Sequence, residues 1–559
     1  MASTIPKPKP KTAHVNMMTD TLIGNLPLDG LRAVMRGILT REPACTAIFE
    51  EQTRTYLSDT VSQFENLTLF AQQSDGSIQT TASFADLRRR ICCLVGCGLC
   101  YQALPLLGEI VGQVSRLTLG SAETTGNGKE PEELIECIAA VDGDIVQALT
   151  AVQKTLLSPS GSRELTDEEA QPLRNLLQSL QACQSSWENT GLPFPLERGL
   201  DATMQLLGLS NESTSTAPST IPSEIPPGTI AETFTLNGVT LLPRLFTGLW
   251  QLSSPAWGSA SRTKMMEQFS SYVARGFTAF DMADHYGDAE IIFGRYRSSS
   301  TYSDALFAGT KYCVFHPMVV SREIVRGNVD ERCRRLNTDR IDLLQFHWQF
   351  YNDNQYIKAL QYLQEDTRVK HLGLCNFDTE HMARVVESGV KIVSNQVQFS
   401  LIDSRPTLKM AEFCTKHDIK LLTYGTLCGG LLAEKWIGQN PPDLYSEKTT
   451  PSQRKYYASI QTWGGWPLFQ TLLQTLNKIA KKHNVTVSNV ATRWVLDFPY
   501  VGAVIVGARM GVSEQSNENL ASLGWKLDEE DKAAIEDVLG KSDRQGMFER
   551  MGDCGGEYR

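Results

Sequence analysis

Phe280-Asp281-Met282-Ala283-Asp284-His285-Tyr286-Gly287 closes a short apolar run, residues 277–280, on a carboxylate and then brings a histidine and a tyrosine within five positions. The same punctuation recurs downstream. Lys311 follows the run 306–310, His347 follows 341–346 and Asn376 follows 372–375, with Gln396 and Tyr424 continuing the series. The first two intervals are 30 and 36 residues, and amphipathic stretches at 320–336 and 379–388 separate the runs, so the repeat reads strand, loop, helix. Units of this period build a parallel sheet, and about eight of them over roughly 250 residues close most economically as a (β/α)8 barrel. Such a barrel gathers the C-terminal ends of its strands on one rim, so residues spread over roughly 140 positions are expected in a single pocket.

Around this segment the chain is long. Its 559 residues with a 41% hydrophobic fraction allow two or three packed cores. Residues 1–18 are Lys/Pro-rich and read as a disordered tail, whereas 19–208 carry apolar residues at helical spacing (Leu28, Leu31, Val34, Met35, Ile38) and few strand signals. Thr166 ahead of Asp167-Glu168-Glu169 reads as a helix cap. Residues 209–228, rich in Ser, Thr and Pro, form the linker that sets the boundary, leaving 229–559 for the barrel. The balance of 53 basic against 63 acidic residues argues against a general nucleic-acid surface, and no apolar run has the length of a membrane span. Thirteen cysteines, an odd count without a secretory leader, read as reduced thiols in a cytoplasmic protein.

Several motifs carry a family resemblance: FDMADHYG at 280–287, GTK at 309–311, LLQFHW at 343–348, GLCNF at 373–377, SNQVQFS at 394–400, LLTYGTLCGGLL at 421–432 and VIVGARMGVSEQSNEN at 504–519. Their kinds and order make residues 231–559 resemble an aldo-keto reductase. The GARMGVSE loop and the closing GDCGGEYR are similar to a subgroup of plants, fungi and bacteria. The resemblance implies reduction of an aldehyde or ketone by hydride from NADPH, with NADH the less favoured cofactor, on a barrel that has no Rossmann fold. Carbonyl reduction also needs a proton donor and a polar pocket for the developing charge. The resemblance makes Tyr286 the general acid, Lys311 the cation that eases its proton loss, Asp281 the partner of that lysine, and His347 the donor that orients the carbonyl oxygen. By the same resemblance Asn376 and Gln396 hold the nicotinamide carboxamide and Tyr424 stacks on its ring. Gly425, Leu427 and Gly429 bring backbone amides to the pyrophosphate, while Arg509, Gln515 and Asn519 surround the adenosine 2′-phosphate. Cys375 stands where the family commonly has serine, and a thiol is a weaker donor than a hydroxyl. Trp250, His285 and Trp348 are expected to wall the substrate pocket, and Trp463 and Trp466 to border it beneath a loop of lid length, residues 433–465.

The amino-terminal half shows no nucleophile and base. Cys92, Cys97 and Cys100 have the C-x4-C-x2-C spacing of some iron–sulfur sites, but their Leu, Val and Ile surroundings read as a buried helix with no metal. An interaction module is expected there, for a partner protein or self-association through residues 19–208, and segment 229–559 is expected to fold and act alone. The competing functional reading is a nicotinamide-binding redox sensor or scaffold with little turnover.

Overall fold

In the computed structural model, residues 22–558 are described apart from residue 24 and residues 61–66, 75–76, 118–129, 159–160, 191–193, 210–226, 254–256, 259 and 447–448. The expected tail and most of the expected linker lie outside the described residues. Eight parallel strands close a barrel in sequence order: β1 Leu245–Gly248, β2 Ala279–Asp281, β3 Phe307–Val314, β4 Leu343–Trp348, β5 Leu372–Cys375, β6 Ser394–Gln398, β7 Lys420–Tyr424 and β8 Val501–Gly507. The barrel expectation is met. All six residues of β4 are buried, as a strand with side chains on one face in the barrel interior and on the other under a helix must be. A hairpin, Thr233–Leu236 with Thr240–Pro243, closes the bottom, where Phe234 and Leu236 pack with Phe246, Phe307 and Leu343.

The lysine position needs one correction. Lys311 does not end its strand, because β3 continues to Val314, and the parallel register sets it beside Gln345 of β4. The register also sets His347 beside Cys375 and Cys375 beside Gln396, so the polar groups follow one another around the ring.

Residues before the barrel are mainly helical: α1 Leu28–Arg41, α2 Cys45–Asp59, α3 Ala82–Gly96, α4 Cys100–Val114, α5 Glu130–Thr155, α6 Asp167–Trp187 and α7 Glu197–Leu206, with two short antiparallel strand pairs, Phe70–Gln72 with Ile78–Thr80 and Leu157–Ser158 with Gly161–Ser162. They bury an apolar cluster of their own, running from Leu57 to Leu200. Thr166 begins α6 in a reciprocal capping box with Glu169, which satisfies two backbone amides that the first turn leaves open. Cys97 and Cys100 sit inside this cluster, whereas Cys92 and Cys93 are exposed. By contrast α1 buries no residue, and Leu28, Val34, Met35 and Ile38 stay exposed together with Ile48 and Phe49 of α2. Among the described residues no helix is long and apolar enough to cross a membrane.

The helical segment packs against the barrel helices α8 Arg262–Ala274, α9 Ala289–Ser299 and α10 Arg322–Arg335. Asp201 of α7 accepts from Arg262 at 2.6 Å and from Arg295, and Gln153 of α5 accepts from Arg335 at 3.2 Å. Deeper in the seam, Arg198 meets Asp288 through two hydrogen bonds of 2.7 Å, with both side chains almost fully buried. Asp142 accepts from the Gly199 amide at 2.7 Å and faces the same guanidinium. Burial pushes the Asp142 carboxyl up to about 7, against the pull of Arg198, since one cation serves two carboxylates. With the folded value above the ordinary 3.8, the associated stability is fully present below about pH 4 and is lost as pH rises through about 7. Between pH 5 and pH 8.5 the wild-type unfolding midpoint is therefore expected to fall by a few degrees relative to Asp142→Asn. A pH-independent difference between the two melting curves counts against this assignment.

Candidate active site

The centre of the barrel mouth is a buried ion pair. The Lys311 ammonium donates to Asp281 Oδ2 at 2.7 Å and to the Met282 carbonyl at 2.9 Å, with both side chains at most 5% exposed. Asp281 Oδ1 accepts from Gln345 at 3.0 Å and from Gln396 at 2.7 Å, and Gln396 also donates to Gln345 Oε1 at 2.9 Å. Two buried charges without such extra donors would cost more in lost hydration than their attraction returns. The amide network is what makes the pair tolerable. It also commits the amino end of Gln396 to the interior, leaving that residue its carbonyl oxygen to offer a cofactor.

Tyr286 stands over the pair. The ammonium lies 4.9 Å from the tyrosine ring centroid. Burial raises the phenol well above its ordinary range, and the opposing effect of Lys311 reduces this shift without reversing it. The expected easing of proton loss is therefore one contribution to a net upward shift. Lys311 is itself held protonated: burial works against its charge, and Asp281 outweighs that penalty. Both effects keep the phenol and the ammonium protonated.

From Tyr286 a series of edge-on rings runs across the mouth. His285 lies 4.8 Å from Tyr286 between ring centroids, Phe315 lies 5.1 Å from His285 and 5.8 Å from His347, and Tyr558 lies 5.6 Å from His347. His285 is oriented by Asp284, whose other oxygen accepts from the Cys313 amide at 2.9 Å. Burial works against the Asp284 charge, but His285 and Arg332 hold its carboxyl down at about 2. Asp284, His285 and Cys313 stand close enough together to suggest metal ligands. The cationic Arg332 lies 3.4 Å from Asp284, which makes this an anion's counter-charge already supplied.

Of the other expected pocket residues, Trp250 is 41% exposed beyond β1, with its ring 5.4 Å from that of Trp257. Trp348 is corrected. It alternates with His347 along β4, packs on Phe346 in the helix-facing core and donates its indole N–H to the Phe350 carbonyl, so it does not reach the mouth. Trp463 and Trp466 are likewise buried in core packing, and residues 451–463 of the expected lid are helical.

At the far side of the mouth, Tyr424 donates to Asn376 Oδ1 at 2.9 Å, and its hydroxyl lies 2.9 Å from that of Tyr558. Asn376 adopts a left-handed backbone, φ 58°, directly after β5. Its side-chain oxygen is the one engaged by Tyr424. Burial pushes the neighbouring Cys375 thiol up to about 12, so it stays protonated there. Gly425 has φ 74° and no room for a side chain, because a Cβ would lie 2.2 Å from the Tyr456 hydroxyl. Within the same loop the amides of Cys428 and Gly430 bond to Gly425 and Leu427 carbonyls, which curls Gly425, Leu427 and Gly429 into one tight turn. Arg509 and Gln515 are exposed and Asn519 half-buried, on the turn after β8 and the short helix Ser516–Leu520 that follows it.

Gln345, Phe315 and Tyr558 join this constellation without a sequence motif that assigns them to it. Gln345 lies inside a strand, where nothing local distinguishes an amide that faces the barrel interior. Tyr558 arrives from the C-terminal tail, held by Arg405, which is 1% exposed and clamps both Asp403 and Glu557 through paired hydrogen bonds. The GDCGGEYR ending was the available signal.

A family model described as the aldo/keto reductase family matches residues 244–539. Aldo-keto reductase YhdN of Bacillus subtilis (strain 168) is 24% identical over 311 residues, 53% of this chain and 89% of that protein. Flagellar radial spoke protein 5 of Chlamydomonas reinhardtii is 32% identical over 143 residues, 25% of this chain and 27% of that protein. Chloroplastic pyridoxal reductase of Arabidopsis thaliana is 25% identical over 305 residues, 50% of this chain and 78% of that protein. Among solved structures, the glycerol dehydrogenase AKR11B4 from Gluconobacter oxydans is 24% identical with a TM-score of 0.48, covering 56% of this chain and 97% of its own.

Proposed function

The chain belongs to the aldo/keto reductase family, and on that premise we propose that it reduces an aldehyde or ketone to an alcohol, with NADPH as hydride donor and Tyr286 as general acid. The observation that carries this reading is the buried Lys311–Asp281 pair under the Tyr286 ring, backed by Gln345 and Gln396. A bound nicotinamide supplies the hydride. Tyr286 protonates the oxygen as negative charge develops on it, and Lys311, fixed by Asp281, stabilises the phenolate left behind. His347 orients the carbonyl oxygen by a hydrogen bond. Asn376 would hold the carboxamide of that cofactor, Tyr424 would offer its ring for stacking, and the backbone of the turn 425–430 would receive the pyrophosphate. His285, Phe315, Tyr558 and Trp250 wall the substrate, which favours a carbonyl compound with an apolar or aromatic body. The thirteen free thiols fit a reducing, cytoplasmic setting.

The test is turnover: NADPH oxidation by the full chain across a panel of aldehydes and ketones, with the alcohol identified as product. No product from any of them, despite NADPH binding, would reject the catalytic reading. It would favour a second one, in which a nicotinamide-sensing barrel serves assembly through the helical segment. The apolar side chains left uncovered on α1 and α2 support that alternative, as does the likeness to a protein named for the flagellar radial spoke.

The choice of NADPH over NADH rests on Arg509, whose planar guanidinium suits a 2′-phosphate. Arg509→Ala is expected to weaken NADPH by about ten- to a hundredfold, the worth of a charge-assisted contact of about 1.5–3 kcal/mol, and to leave NADH nearly unchanged. Equal losses for both cofactors in a fluorescence titration would remove Arg509 from the phosphate site.

A further inference from the structure

Tyr286, Gly287 and Asp288 are consecutive, and the helical segment touches the last two. Gly287 has φ 58°, and a Cβ there would lie 3.0 Å from the Leu252 carbonyl and 3.6 Å from Val146 of α5. Asp288 occupies the N-cap position of α9 yet makes no side-chain cap bond. Both of its oxygens go instead to Arg198 of α7. A carboxylate at that position would ordinarily satisfy an open amide of the helix's first turn. Here that use is given up for a buried partner ninety residues away.

Arg198 is itself held. Its neighbour Gly199 donates to Asp142 of α5, and a Cβ on Gly199 would lie 2.8 Å from Ile145 Cγ2, so α7 and α5 are locked at this point. A second tether approaches from the barrel side. Arg335 donates to the Gly287 carbonyl, to Glu290 Oε2 at 2.7 Å and to Gln153 Oε1 at 3.2 Å. Glu290 also accepts from Thr310, the residue before Lys311. The loop bearing Tyr286 is thus gripped between α5, α7 and α10, and the grip extends to the strand bearing its lysine.

We propose that the helical segment positions the tyrosine through one contact: Arg198 is a positioning residue which, through Asp288, holds the Tyr286 hydroxyl at the distance and angle that proton transfer requires. This rests on the reading of Tyr286 as the general acid. Misplacing a reacting group by about 1 Å can cost on the order of a hundredfold in rate, and a loop freed at Asp288 acquires that freedom two residues from the phenol.

The test uses the full chain throughout and compares three variants. Arg198→Met leaves Asp288 unpaired, Arg198→Lys keeps the charge with a different donor geometry, and Asp201→Ala cuts the contacts of α7 with Arg262 and Arg295 without touching the Tyr286 loop. Expected for Arg198→Met is a ten- to hundredfold fall in kcat with NADPH affinity within about twofold, and a shifted pH–rate profile, because the tyrosine is displaced rather than removed. Arg198→Lys is expected to recover part of kcat, and Asp201→Ala to keep it within about twofold while lowering the melting temperature. Hydrogen exchange with NADPH bound reads the same question without turnover: the amides of residues 283–290 are expected to exchange about tenfold faster in Arg198→Met and at the wild-type rate in Asp201→Ala. If Arg198→Met does not fold, the exchange and kcat of Arg198→Lys against Asp201→Ala decide. Equal kcat and exchange in the Arg198 and Asp201 variants overturn the proposal, since the seam would then act only as general packing. A wild-type chain without turnover on any carbonyl overturns the reductase reading instead, and the exchange comparison still judges the grip on the loop.

Discussion

Tyr286→Phe is expected to lower carbonyl turnover by about 10²–10⁴-fold while NADPH affinity stays within about twofold. The change removes one oxygen and keeps the ring that lies 4.9 Å from the Lys311 ammonium and 4.8 Å from His285, so the packing of the mouth is retained. An effect on kcat without one on cofactor binding is the signature of a group used in the transition state. Steady-state kinetics paired with NADPH titration gives the measurement. Near-normal turnover in the variant would transfer the acid role to another group, with His347 the first to examine.

Lys311→Met should harm both stability and chemistry. It leaves Asp281 as a carboxylate at most 5% exposed with no cation, and breaking a buried pair on one side costs about 3–5 kcal/mol. Cofactor-free melting is expected to show that loss, and Asp281→Asn combined with Lys311→Met to recover much of it, because the double variant leaves no unpaired charge. Turnover should not recover with stability. The phenolate would still lack its cation, so the double variant is expected to be folded and slow. Should kcat return along with the melting temperature, Lys311 is only a structural counter-ion. The pH–rate profile adds a second reading, since the lysine's pull on the buried tyrosine disappears and the basic limb should move to higher pH.

Much of the barrel was readable because its signal is local. Each apolar run ending in Asp281, Lys311, His347 or Asn376 declares a strand by its own composition, and the helices between declare themselves by period. Thr166 and Glu169 three residues apart were enough to mark the start of α6. Direction was harder to read. His347 and Trp348 are adjacent and look equally suited to a pocket, yet a strand sends neighbours to opposite faces, and only the register showed that Trp348 turns outward to the helices. The α1 helix was correctly expected from spacing, but spacing did not reveal that its apolar face would find no cover within the described chain.

The expectation that residues 229–559 act alone rests on the absence of a chemical motif before the linker, and Arg198, whose partner lies in the barrel, carries none. By itself the sequence determined the fold class, which depends on composition and period within each unit, and pointed to the family through the resemblance that its motifs carry. The tertiary structure alone decided that Gln345 supports the ion pair, that the tail brings Tyr558 to His347, and that Asp288 gives its carboxylate to a helix outside the barrel. Those contacts join positions 64, 211 and 90 residues apart. Nothing in a residue's neighbours along the chain records which distant side chain it will meet once both have left water, and the packing that buries them makes that choice.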